Sequence, residues 1–169
     1  MNNYLILDAA RVGPDITTAW EMDPGHCSLF REKGEAFLRD VAPYLFKIDV
    51  PGKFWTWYGQ AGWGKSFGVI LSTGSNRENL YKHLRRLLTV RTEDKRELYF
   101  RFYDPRVLRI FLPTCEKDQL VEFFGPIDYF IVEDEDKDYA IEFSHQYGIL
   151  KQQRITASDI FGELTSTTN

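Results

Sequence analysis

Hydrophobic positions along this chain switch repeatedly between a period of two and a period near four, so short strands and short helices are expected to be interleaved. Tyr4-Leu5-Ile6-Leu7 is a compact apolar run ending at Asp8, which suits a buried strand, and Gly13-Pro14 marks the turn after it. A short helix is predicted over part of Ile16 to Met22, broken by Asp23-Pro24-Gly25. Cys27 to Arg31 reads as a short strand, Glu35 to Val41 as a helical turn or two, and Tyr44 to Ile48 as a further strand after Pro43. Phe54 to Tyr58 fits either a strand or a bulky helical turn. Phe67 to Gly74, with two glycines and adjacent β-branched residues, reads as a strand.

The clearest helix is Asn76 to Leu88. Leu80, Leu84, Leu87 and Leu88 form one apolar stripe, Ser75 and Glu78 have the spacing of a capping box, and His83 and Arg85 fall on the borders of the stripe. Leu98, Phe100 and Phe102 then alternate with Tyr99, Arg101 and Tyr103 in the period of a strand. Asp104 carries an oxygen suited to capping free backbone N–H groups, and Pro105 fits the first helical position. Val107, Leu108, Phe111 and Leu112 recur at helical spacing until Pro113. This block is therefore a strand turning tightly into a helix, with Arg101, Asp104 and Arg106 clustered at the turn and Arg85 within reach if helix and strand pack together. Glu116 to Phe124 predicts another helix, stopped by Gly125-Pro126. Ile127 to Glu133 and Tyr139 to Phe143 read as strands joined by an acidic turn, and the residues after Gly148 turn polar and finally Ser/Thr-rich.

These elements predict a single α/β domain over residues 1–150, with a mixed α+β arrangement as the alternative: a mixed sheet of about five strands flanked by helices, followed by a loose tail at 151–169. With 43% hydrophobic and 15% aromatic residues the chain can bury a core, which argues against disorder. The net charge of −4 does not suit a general nucleic-acid binder. The charge is nonetheless segregated. Cations dominate from Arg77 to Arg109, and anions dominate from Glu116 to Glu142, densest at Glu133-Asp134-Glu135-Asp136. Two distant cysteines, Cys27 and Cys115, suggest no disulfide framework, and the N-terminal apolar run is too short for a signal peptide or membrane span. The expectation is a cytoplasmic protein.

One motif points toward catalysis. Gly59-Gln60-Ala61-Gly62-Trp63-Gly64-Lys65-Ser66 matches the phosphate-loop pattern at each required position. Such a loop works because backbone N–H groups converge at the start of the helix that follows and the lysine rides on that helix. Here a strand follows, so the loop is read as a Gly-rich entry into it, with a small nucleotide-binding enzyme kept as the alternative. His26, His83 and His145 have no partners at catalytic spacing, and no His/Cys/carboxylate pattern suggests zinc. No cofactor, metal or catalytic residue is assigned. Trp57 and Trp63, beside the glycines, are candidate anchors for a protein partner.

Several blocks taken together resemble a known family: Tyr4 to Ala10, Val41-Ala42-Pro43-Tyr44-Leu45, Trp63-Gly64 before Phe67 to Ser72, His83 to Leu88, Arg101 to Leu108 and Phe124-Gly125-Pro126. This set resembles domain-of-unknown-function family 4123 over about Tyr4 to Ile131. The resemblance implies a non-enzymatic adaptor chaperone of bacterial type VI secretion, which binds a toxic effector in the cytoplasm and helps load it onto the VgrG spike protein. It also places Arg85, Arg101 and Asp104 in family motifs, and with Arg106 these are further candidates for binding the partner. Many members carry a further C-terminal lobe, so two-sided bridging is less expected here than a minimal effector holder. An immunity protein that neutralises a toxin is a further alternative.

Overall fold

The computed structural model describes residues 1–30 and 36–162 of the chain. Its centre is β1 (Asn2–Asp8), flanked on one side by β3 (Pro43–Ile48) and on the other by β4 (Gly68–Thr73). Leu5 stands opposite Phe46 in β3 and opposite Ile70 in β4. The sheet continues through β2 (Cys27–Ser28) beside β3, and through β7 (Tyr129–Glu133), β8 (Tyr139–Gln146) and β9 (Ile149–Thr156) beyond β4. Its order is β2-β3-β1-β4-β7-β8-β9, and each neighbouring pair is antiparallel.

Helices cover both faces, and this is why the central strands read as unbroken apolar runs rather than alternating ones. One face carries Tyr4, Ile6, Val69, Leu71, Phe130 and Phe143. Against it pack α4 (Arg77–Leu87), α5 (Pro105–Phe111) and α6 (Lys117–Phe124) through Leu80, Leu84, Leu108 and Phe124. The other face carries Leu5, Leu7, Phe46 and Ile70 and meets shorter helices: α1 (Ala9–Val12), α2 (Ile16–Met22), α3 (Lys53–Trp57) and α7 (Ala157–Phe161). Leu5, Ile6 and Leu7 are fully buried, each stabilising the fold by about 2 kcal/mol relative to exposure. Gly68 opens β4 because a Cβ there would collide with the Ile6 carbonyl.

The structure corrects the expected outline in several places. The single-domain fold holds in its α+β form: among the described residues the main sheet has seven strands where about five were expected, and its pairing is antiparallel. The segment expected as a loose tail instead forms β9, matched to β8 in register from Tyr139 opposite Thr156 to Gln146 opposite Ile149, and then α7. Its Lys151-Gln152-Gln153-Arg154 run looked unstructured because an edge strand open on both faces needs no apolar period, and charges there deter pairing with another chain. The strand expected over Leu98 to Tyr103 is cut to β6 (Glu97–Tyr99), which pairs with β5 (Thr89–Arg91) in a separate two-stranded hairpin. Asn76, not Ser75, caps α4: its side chain accepts from the Asn79 amide at 2.9 Å. Phe54 to Tyr58 is helical. The expectations for Arg31 and Glu35, and those for residues 163–169, lie outside the described residues.

Candidate functional site

Asp8 ends β1 with its side chain 1% exposed, although an isolated carboxylate there would be costly. Two groups compensate. One oxygen accepts from the Ala10 amide at 3.1 Å and so caps α1, while the other accepts from the half-exposed Arg101 guanidinium. Burial works against the charge on Arg101, but the Asp8 hydrogen bond and field outweigh it and hold that guanidinium above its ordinary pKa. Tyr99 and Tyr103 share a hydrogen bond of 2.9 Å beside this pair, and burial pushes both hydroxyls up, which keeps them protonated.

Asp104 sits next to this joint as the cap of α5. Its Oδ1 accepts from the Arg106 amide and the Arg106 Nε, both at 3.0 Å, and its Oδ2 accepts from Arg106 Nη2 at 2.6 Å. Burial pushes the Asp104 carboxyl up, yet the charge-assisted bonds from Arg106 prevail and hold it below its ordinary value. Arg101, Asp104 and Arg106 thus lie near one another before and within the first turn of α5, with Arg101 past the end of β6 rather than on a strand. Their bonds dock the start of α5 against the end of β1.

The Gly-rich loop lies at the same end of the sheet. Its local order is helix α3, a π-turn over Tyr58–Gly62, then strand β4, the reverse of a phosphate loop. An internal carboxylate already occupies the anion position: Glu133 Oε2, at the end of β7, accepts from the Ser66 amide at 2.8 Å. Arg11 accounts for the loop's other polarity, donating to the carbonyls of Ser66 at 3.0 Å and Lys65 at 3.1 Å. Glu133 is 2% exposed, and its Oε1 is buried without a hydrogen-bond partner among the described residues. Burial raises its pKa to about 7, against the opposing pull of the Ser66 and Gly64 amides, Arg109 and Tyr58.

The two tryptophans are half-buried packing residues of this region. Trp63 donates from Nε1 to the Lys137 carbonyl at 2.8 Å, tying the loop to the acidic turn, and meets Phe161 edge-on at 4.9 Å. Trp57 stacks against Phe54 at 6.0 Å.

Arg85 lies on the other face of the sheet and is not brought to Asp104, whose partner is Arg106. It reaches over the Tyr81 ring at 5.7 Å and borders a cavity of about 300 Å³ lined by Leu29, Phe30, Leu38, Leu88 and Tyr99. The β5–β6 hairpin rises beside this cavity and exposes Val90 and Leu98, a cross-strand pair. His83, one helical step away, is buried and bonds through Nε2 to the Phe123 carbonyl at 2.8 Å. Burial lowers its pKa, so the ring is neutral at pH 7. Gly125 is required there because a Cβ would run into that ring, and because its φ of 50° disfavours other residues. The predicted site residues thus fall into three places: Trp57 and Trp63 on one face, Arg85 on the other, and Arg101, Asp104 and Arg106 at the end of the sheet.

Both cysteines are free and half-buried. Among the described residues no three or more His, Cys, Asp or Glu side chains are grouped to hold a metal ion, and no helix is long and apolar enough to cross a membrane. The fold and the charged joint define a single-domain α+β protein built on an antiparallel sheet. A family model described as Domain of unknown function (DUF4123) matches residues 3–122, from β1 into α6, and the chain belongs to that family. No curated protein and no solved structure matches the chain.

Proposed function

We propose that this protein is a non-catalytic adaptor chaperone that binds a type VI secretion effector in the cytoplasm and assists its loading onto the VgrG spike. Membership of the DUF4123 family is the basis for that biology. The structural observation that supports it is the division of labour among polar groups. Asp8, Asp104 and Glu133 are buried and engaged, with Arg101 and Arg106 paired to the two aspartates, whereas among the described residues the cavity beside Arg85 and the Val90–Leu98 pair are open. That is the surface of a protein that binds through shape and charge. A cation at the edge of an apolar cavity suits an effector segment whose apolar stripe is flanked by carboxylates.

The test is affinity capture of the tagged protein from its native bacterium, followed by mass spectrometry. A single large toxin-like protein should be recovered, with or without the spike, and Arg85→Glu should reduce the recovery at least about tenfold without changing the melting temperature. Recovery of no such protein, or a toxin held through its active domain as an immunity protein would hold it, would overturn the reading. Calorimetry with ATP and Mg²⁺ should show no heat, since Glu133 already fills the loop's amide nest.

A further inference from the structure

Among the described residues, the face of the sheet served by short helices is left open at the end opposite Asp8. Beside α3 and α7, which meet through Trp55 and Phe161, lies a groove of about 260 Å³, floored by Ile70, Ile131 and Ile155 and walled by Trp55 and Ile160. Glu142 belongs to the same floor: it stands opposite Ile131 in β7 and opposite Gln153 in β9, and is half-buried. It forms no ion pair among the described residues. The other charged residue on the lining is also acidic, Asp159, whose side chain caps α7 by accepting from the Thr156 amide at 3.1 Å. The groove is thus apolar with a negative floor, and among the described residues no cation lines it.

We propose that this groove is a docking site for a short amphipathic helix of a protein partner, one whose apolar stripe is interrupted by a lysine or arginine that pairs with Glu142. Shape and charge both select this occupant. Helices α3 and α7 already pack on this face and meet each other through Trp55 and Phe161, whose rings lie 4.6 Å apart, so an added helix would lie beside that contact, over the isoleucine floor, in a two-layer arrangement. A helix offers side chains at i, i+3 and i+4 to the isoleucine floor, and a cation in that stripe meets the one carboxylate there that has no other duty. An acidic or wholly apolar helix would leave Glu142 desolvated and unpaired. The site lies on the opposite face from the Arg85 cavity, so its occupancy does not depend on where an effector binds.

Two stapled helical peptides test this, each with a leucine stripe interrupted at one position by lysine in the first and glutamate in the second. Fluorescence anisotropy should show the lysine peptide binding the full chain about tenfold tighter than the glutamate peptide. The preference should reverse with Glu142→Lys and vanish with Glu142→Gln, while Ile155→Asp should weaken both peptides, with circular dichroism confirming that each variant is folded. Equal affinity for the two peptides, no binding of either, or a preference untouched by Glu142→Lys would overturn the proposal. So would a concentration-dependent dimer broken by Ile155→Asp, which would give the groove to a second copy of the chain. A charge preference that holds when affinity capture recovers no toxin would leave the groove standing and remove the adaptor reading; capture without the preference would do the converse.

Discussion

At the scale of single residues, the two buried carboxylates at one end of the sheet make opposite predictions. Asp8 has a cation and Glu133 has mostly amides. Removing the cation with Arg101→Ala leaves Asp8 buried and unpaired, and should cost about 2–3 kcal/mol in urea denaturation at pH 7, a figure tempered by the exposure of Arg101. Glu133 behaves in the other sense because its folded pKa, about 7, lies above its ordinary value of 4.5. Its contribution to stability is fully present below pH 4.5 and is lost as pH rises through 7. Glu133→Gln should therefore stabilise the protein at pH 8, on the order of 2 kcal/mol, with the advantage shrinking toward zero as pH falls to the ordinary carboxyl value. Denaturation of both proteins across that range measures the difference; a constant gap would mean that Glu133 does not titrate there. Neither partner set was visible in the sequence. Asp8 and Arg101 are 93 positions apart, and the apolar runs ending in Asp8 and Glu133 showed only that strands stop there.

At the scale of elements, short-range chemistry was largely readable. Asp104-Pro105 announced the start of α5, and the structure shows that cap formed through the Arg106 amide. Asp104→Ala should cost about 2 kcal/mol by removing both the cap and the Arg106 pair, whereas Asp104→Asn should retain most of the capping part. Because the Asp104 carboxyl is held below its ordinary value, the ionic part is present at neutral pH and fades as pH falls through the lowered folded value. The strand after the phosphate-loop pattern was legible for the same local reason: β4 follows it, and a lysine in the turn before a strand does not ride a helix toward a phosphate. Trp63 is different, since a tryptophan beside glycines says nothing about which carbonyl it will find. Its bond to Lys137 predicts that Trp63→Phe costs about 1 kcal/mol, read by thermal unfolding, and leaves effector capture unchanged. The β9 edge escaped notice because its polar residues are those of a tail as well as those of an exposed strand.

At the scale of the whole molecule, two surfaces of opposite sign lie on opposite faces of one sheet, Arg85 beside one cavity and Glu142 in the other groove. The cation-rich and anion-rich stretches of the chain foretold a polar molecule, but not this arrangement. Charge reversal should separate the two: Arg85→Glu acts on effector capture, Glu142→Lys on the lysine-bearing helix, and the double variant should lose both by the product of the single effects, as expected for sites that share no residues. What the sequence determined by itself was local and periodic: the strands of the centre, the helices α2, α4, α5 and α6, the cap at Asp104 and the family motifs. Backbone propensity and side-chain spacing act over a few residues and can be read over a few residues. The tertiary structure alone decided which carboxylate meets which cation, that the loop's amides point at Glu133, and that four short helices leave part of one sheet face open. Those outcomes depend on strand order, and strand order follows from burying both faces of the sheet at once rather than from any one segment.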